Sequence, residues 1–355
     1  MHFLAKSEIK QWQQLGDTVL KHGGVATDFQ NEVRSNLFSA FCFYIGSRLT
    51  AEIGNVPKGI EWFKEGALFE EEGLFSNAFI TSFLTRQNNE LIMPAVCFED
   101  PQPYVHFTTT PIMKSSRQNF INYFSHTLPE YSEPVKIMDI GTGNGTLCLN
   151  ILQKLLEDGK VKDFAEVLLI DSSKAMLELA EKTISSELPG LNIKTINCKI
   201  QEVSDKIEGN YHIAYSSLAY HHMPFEDKLF HLNNLKSHIE NFIIFELEAD
   251  NDTPELHSPE LALSVYQSYG RIIDFIFSHD APIHVAKQSV DNFLMVEEVS
   301  FLTQPRGIRT DYHMLRRQWH DLFQQAFKKE FTCRSDITCY ADEYLDLYAL
   351  HYGRN

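Results

Sequence analysis

The chain has 355 residues, 43% of them hydrophobic, and a formal net charge of −17 from 31 Lys and Arg against 48 Asp and Glu. That length buries a large core and exceeds one ordinary domain, so two regions are expected. The acidic balance, with no basic run long enough to neutralise a phosphate backbone, excludes nucleic acid as the main substrate and favours a small molecule or a protein.

No run approaches the ~20 apolar residues of a membrane span, and Met1-His2-Phe3-Leu4-Ala5-Lys6 opens no apolar stretch of signal-peptide length. A cytoplasmic protein away from the membrane is the expectation. Cys42, Cys97, Cys148, Cys198, Cys333 and Cys339 form no C-x-x-C pair. They read as buried thiols in a reducing compartment and not as a disulfide framework.

Residues 1–105 read as an N-terminal helical domain with Phe-rich stripes: Phe38, Phe41, Phe43 and Tyr44, then Trp62, Phe63 and Leu68, then Phe75, Phe79 and Phe83. Aromatic stripes at helical spacing are packing surfaces, so this region is expected to cap the rest or to form a homodimer interface. Pro101 and Pro103 break the pattern and mark a boundary. A helix follows Thr108-Thr109-Thr110-Pro111, with Phe120, Ile121 and Phe124 on its apolar face.

Val135, Ile137 and Met138 then form a strand that runs into Asp139-Ile140-Gly141-Thr142-Gly143-Asn144-Gly145 and a helix with Cys148, Ile151, Leu152 and Leu155 on one side. Glycines at alternate positions permit a tight turn and close approach of a ligand, and the helix start aims free N–H groups at it. A dinucleotide fingerprint needs its third glycine where Thr146 stands, which disfavours an NAD-dependent oxidoreductase, and a Walker loop needs a Lys that is absent. A second strand, Val167 to Ile170, ends in Asp171, with Ser172 and Ser173 available to cap a helix carrying Ala175, Met176, Leu179 and Ala180.

Strand, Asp, G-x-G-x-G, helix resembles the first motif of the class I S-adenosylmethionine-dependent methyltransferases, and an acidic tip on the second strand suits the ribose hydroxyls. The resemblance spans roughly Thr108 to Asn355. It implies a doubly wound α/β fold: a seven-stranded methyltransferase-like sheet within residues 106–355, with a helical lid insertion at about 256–327. The further strands are expected at Ile193–Cys198, Tyr211–Ser216, Phe242–Leu247, Phe331–Tyr340 and Leu345–Tyr352, the last antiparallel. It also implies S-adenosylmethionine as cofactor, held by Asp139, Gly141, Thr142, Gly143, Asn144, Gly145, Asp171, Ser172, Met176, Ile200, Gln201 and Ser216. Lys199 stands where the family often has an acidic contact to adenine, leaving Gln201 to meet that edge. Arg117 is either a partner for the cofactor carboxylate or a plain surface arginine.

Ser216 to Pro224 resembles the segment after the fourth strand in many small-molecule methyltransferases and offers His221 or His222 as general base; a helix cap is the alternative. Adjacent histidines lack the i, i+4 geometry of a chelating pair, so no metal is expected. Glu246, Glu248 and Asp250 end the fifth strand, with Glu246 the catalytic candidate and a solvated acidic loop the alternative. That strand and the helix from Ser258 through Tyr266 and Tyr269 are similar to a segment of GRAS domains. A GRAS-like regulatory protein that binds a ligand without turnover is therefore the second functional expectation. The insertion carries Tyr266, Tyr269, His284, Phe293, Arg306, Arg309 and Tyr312 as candidate substrate contacts.

Overall fold

A computed structural model describes residues 1–94, 102–203, 206–279 and 282–355. Cys97 and Pro101 lie outside them. The chain divides into two compact units, the first made of Met1–Cys97, Ala249–His313 and Asp342–Leu345, the second of Phe98–Glu248, Met314–Ala341 and Asp346–Asn355. Among the described residues no helix is long and apolar enough to cross a membrane.

In the first unit, α1 (Lys6–His22), α2 (Phe38–Ser47), α3 (Val56–Ala67) and α4 (Asn77–Arg86) come first. Every residue of α2 is buried. A helix apolar all round needs cover on every side. Trp12 of α1 meets Phe41 at 5.2 Å and Phe63 of α3 meets Phe43 at 5.8 Å. Leu68, expected in the second stripe, lies just past α3 and is 75% exposed.

The second unit begins with α5 (Gln102–Thr109) and α6 (Pro111–Thr127), the latter with Pro at its first turn and Phe120, Ile121 and Phe124 buried. There follow β1 (Val135–Ile140), α7 (Thr146–Glu157), β2 (Phe164–Asp171), α8 (Lys174–Glu187), β3 (Ile193–Asn197), β4 (Tyr211–Ser217), α9 (Phe225–Leu235) and β5 (Ile239–Leu247). The chain then passes into the first unit for α10 (Pro259–Phe277), α11 (Ile283–Ser289) and α12 (Met295–Thr303). It returns to the second for α13 (Arg316–Phe327), β6 (Phe331–Ala341) and β7 (Asp346–Arg354).

The seven strands lie in the order β3-β2-β1-β4-β5-β7-β6. β1 to β5 are parallel, and β7 runs antiparallel between β5 and β6. This is the methyltransferase-like sheet expected from sequence. Alternate residues of each strand face opposite layers. Met138, Ile140, Phe242 and Ile244 share a core with Leu232 of α9 and Trp319, Phe323 and Phe327 of α13. On the other side Phe120 stacks on Phe245 at 5.0 Å and Phe124 meets Tyr215 edge-on at 5.1 Å.

The division differs from the expected boundaries at 105 and at 256–327. α10 is buried along nearly its whole length, and Tyr266 donates its hydroxyl to Ser39 Oγ of α2 at 2.8 Å, so the insertion completes the cover of α2. α13, expected within the lid, instead packs on the sheet, because Trp319, Leu322, Phe323, Ala326 and Phe327 form an apolar stripe that the sheet core takes up.

Candidate active site

The switch point of the parallel sheet lies between β1 and β4, and the carboxyl ends of these strands carry the glycine loop and the histidine segment. Gly141, Gly143 and Gly145 all have positive φ, at 78°, 55° and 76°. The strain of a side chain there would be compounded by lack of space. A Cβ on Gly141 would fall 2.3 Å from the Cβ of Ala219, and one on Gly145 would fall 2.6 Å from Ala180 of α8. Gly143 has the Tyr104 hydroxyl 2.9 Å from the same point.

The loop is tied to the second strand through charge. The Gly143 N–H donates to Asp171 Oδ2 at 2.9 Å and the Ser173 N–H to Asp171 Oδ1 at 2.8 Å. The Ser172 N–H also acts on this carboxylate, so of its roughly four lone-pair sites one remains for a ligand hydroxyl. Burial raises its carboxyl above the ordinary value. Asp139 is wholly buried, which pushes its carboxyl up to about 6 against the opposing bond that it accepts from Thr142 Oγ1 at 2.7 Å.

Not every predicted contact faces outward. Thr142 serves Asp139, Asn144 Oδ1 accepts from the Thr146 N–H at 3.2 Å, and Ser216 donates to the Ile140 carbonyl at 2.8 Å. These three side chains shape the loop and its seam with β4. Met176 and Ile200 are buried, Ser172 is exposed, and Ser173 is the residue that caps α8, accepting from the Met176 N–H. Gln201 donates to the His222 carbonyl at 3.4 Å, which links the turn after β3 to the histidine segment.

Arg117 is no surface arginine. It is 8% exposed, its guanidinium donates to Tyr104 Oη at 3.1 Å, and its enclosed Nε has no hydrogen-bond partner among the described residues. Tyr104 thus joins Arg117 to the space above Gly143. Sequence reasoning passed over Tyr104, since a lone Tyr near a helix start carries no motif.

At the end of β4, Leu218 holds a positive φ of 51°, and this turn brings Tyr220 and His221 to β5. Glu246, 1% exposed, accepts from the Tyr220 N–H at 3.2 Å and pairs with His221 Nδ1 at 3.1 Å. The two rings of His221 and His222 lie 4.4 Å apart with their planes at 60°. A carboxylate on Nδ1 fixes the tautomer and the orientation of the ring. Glu248 is engaged elsewhere, accepting from the Arg316 N–H at 3.3 Å.

Residues 137–241 match the family model described as a methyltransferase domain. This segment is similar to a methyltransferase domain, and it holds the glycine loop and the acidic second strand. Among solved structures the chain is similar to magnesium protoporphyrin IX methyltransferase from Synechocystis PCC 6803, solved with S-adenosylhomocysteine, at 13% identity and TM-score 0.43 over 71% of this chain and 93% of that one. The plantazolicin methyltransferase BpumL, also solved with S-adenosylhomocysteine, is 15% identical at TM-score 0.43 over 78% of this chain and all of the other (100%). No curated protein sequence matches the chain. The likeness to GRAS domains gains nothing from these matches.

In the first unit the insertion's polar residues are occupied with structure. Arg306 pairs with Asp252 at 2.8 Å, and Arg309 donates to the carbonyls of Gln304, Asn251 and Pro254. Tyr269 donates to Glu297, Tyr312 and Phe293 are buried, and His284 is exposed. The Asp250 N–H meets Ser264 Oγ at 2.9 Å.

Proposed function

We propose that the chain moves the methyl group of S-adenosylmethionine to an O, N or C nucleophile of a small molecule, with His221, oriented by Glu246, as the general base. The observation that carries this reading is the His221–Glu246 pair standing two residues beyond Ala219, whose Cβ abuts the glycine loop. Base and cofactor cradle are therefore neighbours in one wall.

The residues present fit the cofactor. Gly141 to Gly145 offer a backbone that admits close approach, Asp171 offers an acceptor for a ribose hydroxyl, and the buried Arg117 Nε calls for an anion such as the amino-acid carboxylate. Met176, Ile200 and Gln201 are the candidates for the adenine side. When bound, S-adenosylmethionine supplies an electrophilic methyl group on a sulfonium. His221 Nε2 would take the proton of an O–H or N–H nucleophile, while Glu246 stabilises the imidazolium that results. In-line transfer asks mainly for alignment, which the buried Glu246 provides by holding the ring and the Tyr220 backbone together.

Calorimetry with S-adenosylmethionine and S-adenosylhomocysteine, followed by incubation with methyl-labelled cofactor and a small-molecule extract, tests the reading. Binding with transfer of label to a small molecule supports it. Tight binding with no label moved into any nucleophile class would favour the ligand-binding, GRAS-like alternative, and absence of binding would defeat both.

A further inference from the structure

Away from the glycine loop, the first unit gathers Glu297, Asp311 and His313, all buried, with one donor atom from each within 4.8 Å of the other two. Glu297 lies on α12, while Asp311 and His313 are alternate residues of the irregular stretch that precedes α13. Alternate residues of a non-helical chain project to one side, so an Asp-x-His pair delivers two donors to one point and the helix adds the third. An ion with bonds of about 2.0–2.2 Å keeps its ligands no more than about 4.4 Å apart, so the trio closes on a cation through side-chain shifts of about an ångström.

Two further observations belong to this spot. The buried Tyr269 hydroxyl donates to Glu297 Oε2 and lies 3.4 Å from His313 Nε2, the kind of outer partner that orients metal ligands. Asn251, whose N–H donates to the His313 carbonyl at 3.0 Å, is fully buried, and its carboxamide has no hydrogen-bond partner among the described residues. Two neighbouring carboxylates out of water repel each other, and a divalent cation cancels their charge.

We propose that Glu297, Asp311 and His313 bind one divalent first-row transition-metal ion. One imidazole and two carboxylates suit Mn2+, Fe2+ or Zn2+, whereas Mg2+ and Ca2+ call for oxygen donors throughout and Cu+ for sulfur. The sequence reading expected no metal because it weighed only the His221–His222 pair; an Asp-x-His fourteen residues after a helical Glu carries no fixed-spacing signature.

The test uses the full chain, stripped with chelator and titrated separately with Mn2+, Fe2+, Zn2+ and Mg2+ by calorimetry, with elemental analysis after dialysis. One equivalent of a transition ion retained, with Mg2+ bound far more weakly, is expected. Asp311→Asn and His313→Ala should each weaken it by more than about 100-fold, and Tyr269→Phe by about 10–100-fold, the scale of outer-shell partners. Should His313→Ala fail to fold, visible absorption of the Co2+ form of the wild type, altered in Asp311→Asn, reports the same ligands. No retained ion in the wild type, or retention unchanged in Asp311→Asn, overturns the proposal. Either result would make the cluster a hydrogen-bonded network around Tyr269.

Discussion

Asp171→Ala separates the task that the structure shows for one carboxylate, holding the glycine loop, from the one proposed for it, binding the ribose. The side chain accepts the Gly143 N–H at 2.9 Å and the Ser173 N–H at 2.8 Å, and its remaining lone pair is the one proposed for the ribose. A hydrogen bond to a charged group contributes about 1.5–3 kcal/mol, so losing two within the protein lowers stability by about 3–6 kcal/mol before water recovers a part. Loss of the ribose contact costs a similar single increment, which weakens S-adenosylhomocysteine by about 10- to 150-fold. Urea unfolding and calorimetric titration of the same samples read the two effects independently. Asp171→Asn keeps one acceptor but presents an NH2 group to the other backbone N–H, and should fall between Ala and wild type on both scales. An affinity for S-adenosylhomocysteine within about threefold of wild type, in a variant whose stability has dropped as expected, would refute the assignment of Asp171 to the ligand.

On a substrate found by labelled transfer, His221→Ala should lower kcat by about 10²–10⁴ with little change in cofactor affinity. Glu246→Gln should lower it too, and the double variant should be no slower than His221→Ala alone; additive losses would mean that Glu246 acts independently of the ring. Arg117→Leu should weaken S-adenosylhomocysteine by about tenfold or more yet leave 5′-methylthioadenosine, which lacks the amino-acid tail, unchanged; equal losses on both would place Arg117 away from the carboxylate. His231 is held down at about 4 by burial. Because the unfolded ring titrates near 6.5, it takes up a proton on unfolding between those values, and the stability it contributes is full above about 6.5 and shrinks as pH falls toward 4, by up to about 3 kcal/mol. Comparing urea unfolding of wild type and His231→Gln at pH 7.5 and 5 should show the wild-type advantage shrinking; a constant difference would refute it.

What was legible in the sequence was what local periodicity encodes. The glycine loop, the apolar face of α7 and the alternation of strands with helices each declare themselves within a window of about fifteen residues. The seven-stranded sheet with its antiparallel closing strand was implied by the resemblance to the methyltransferases, and the order of the strands comes from the structure. What escaped depends on partners distant in the chain. The apolar surface of α10 read as a lid, because nothing in residues 259–277 reveals that Ser39 and Phe43 of α2 receive Tyr266. Leu68 fits the aromatic stripe on paper, but α3 ends at Ala67 and the stripe ends with it. Arg117 shows the same limit within the site: one residue type serves a solvated surface or an enclosed anion pocket, and only Tyr104 beside it decides. The acidic end of β5 was readable as three candidates, and Glu246 is set apart by its place opposite the turn at Leu218, which composition does not carry.

The contact between Gly141 and Ala219 bears on any attempt to re-engineer this protein. A Cβ at position 141 and the existing one at 219 would stand 2.3 Å apart, so the two positions form a lock: glycine on one side requires nothing larger than a small residue on the other. Any side chain at position 141 would therefore require position 219 to give up its own Cβ. Diversity is better placed at His222, which is partly exposed, than at the buried Ala219. The glycine loop and the turn after β4 are in this way coupled through one pair of small residues, and a change at either position needs to be read at both.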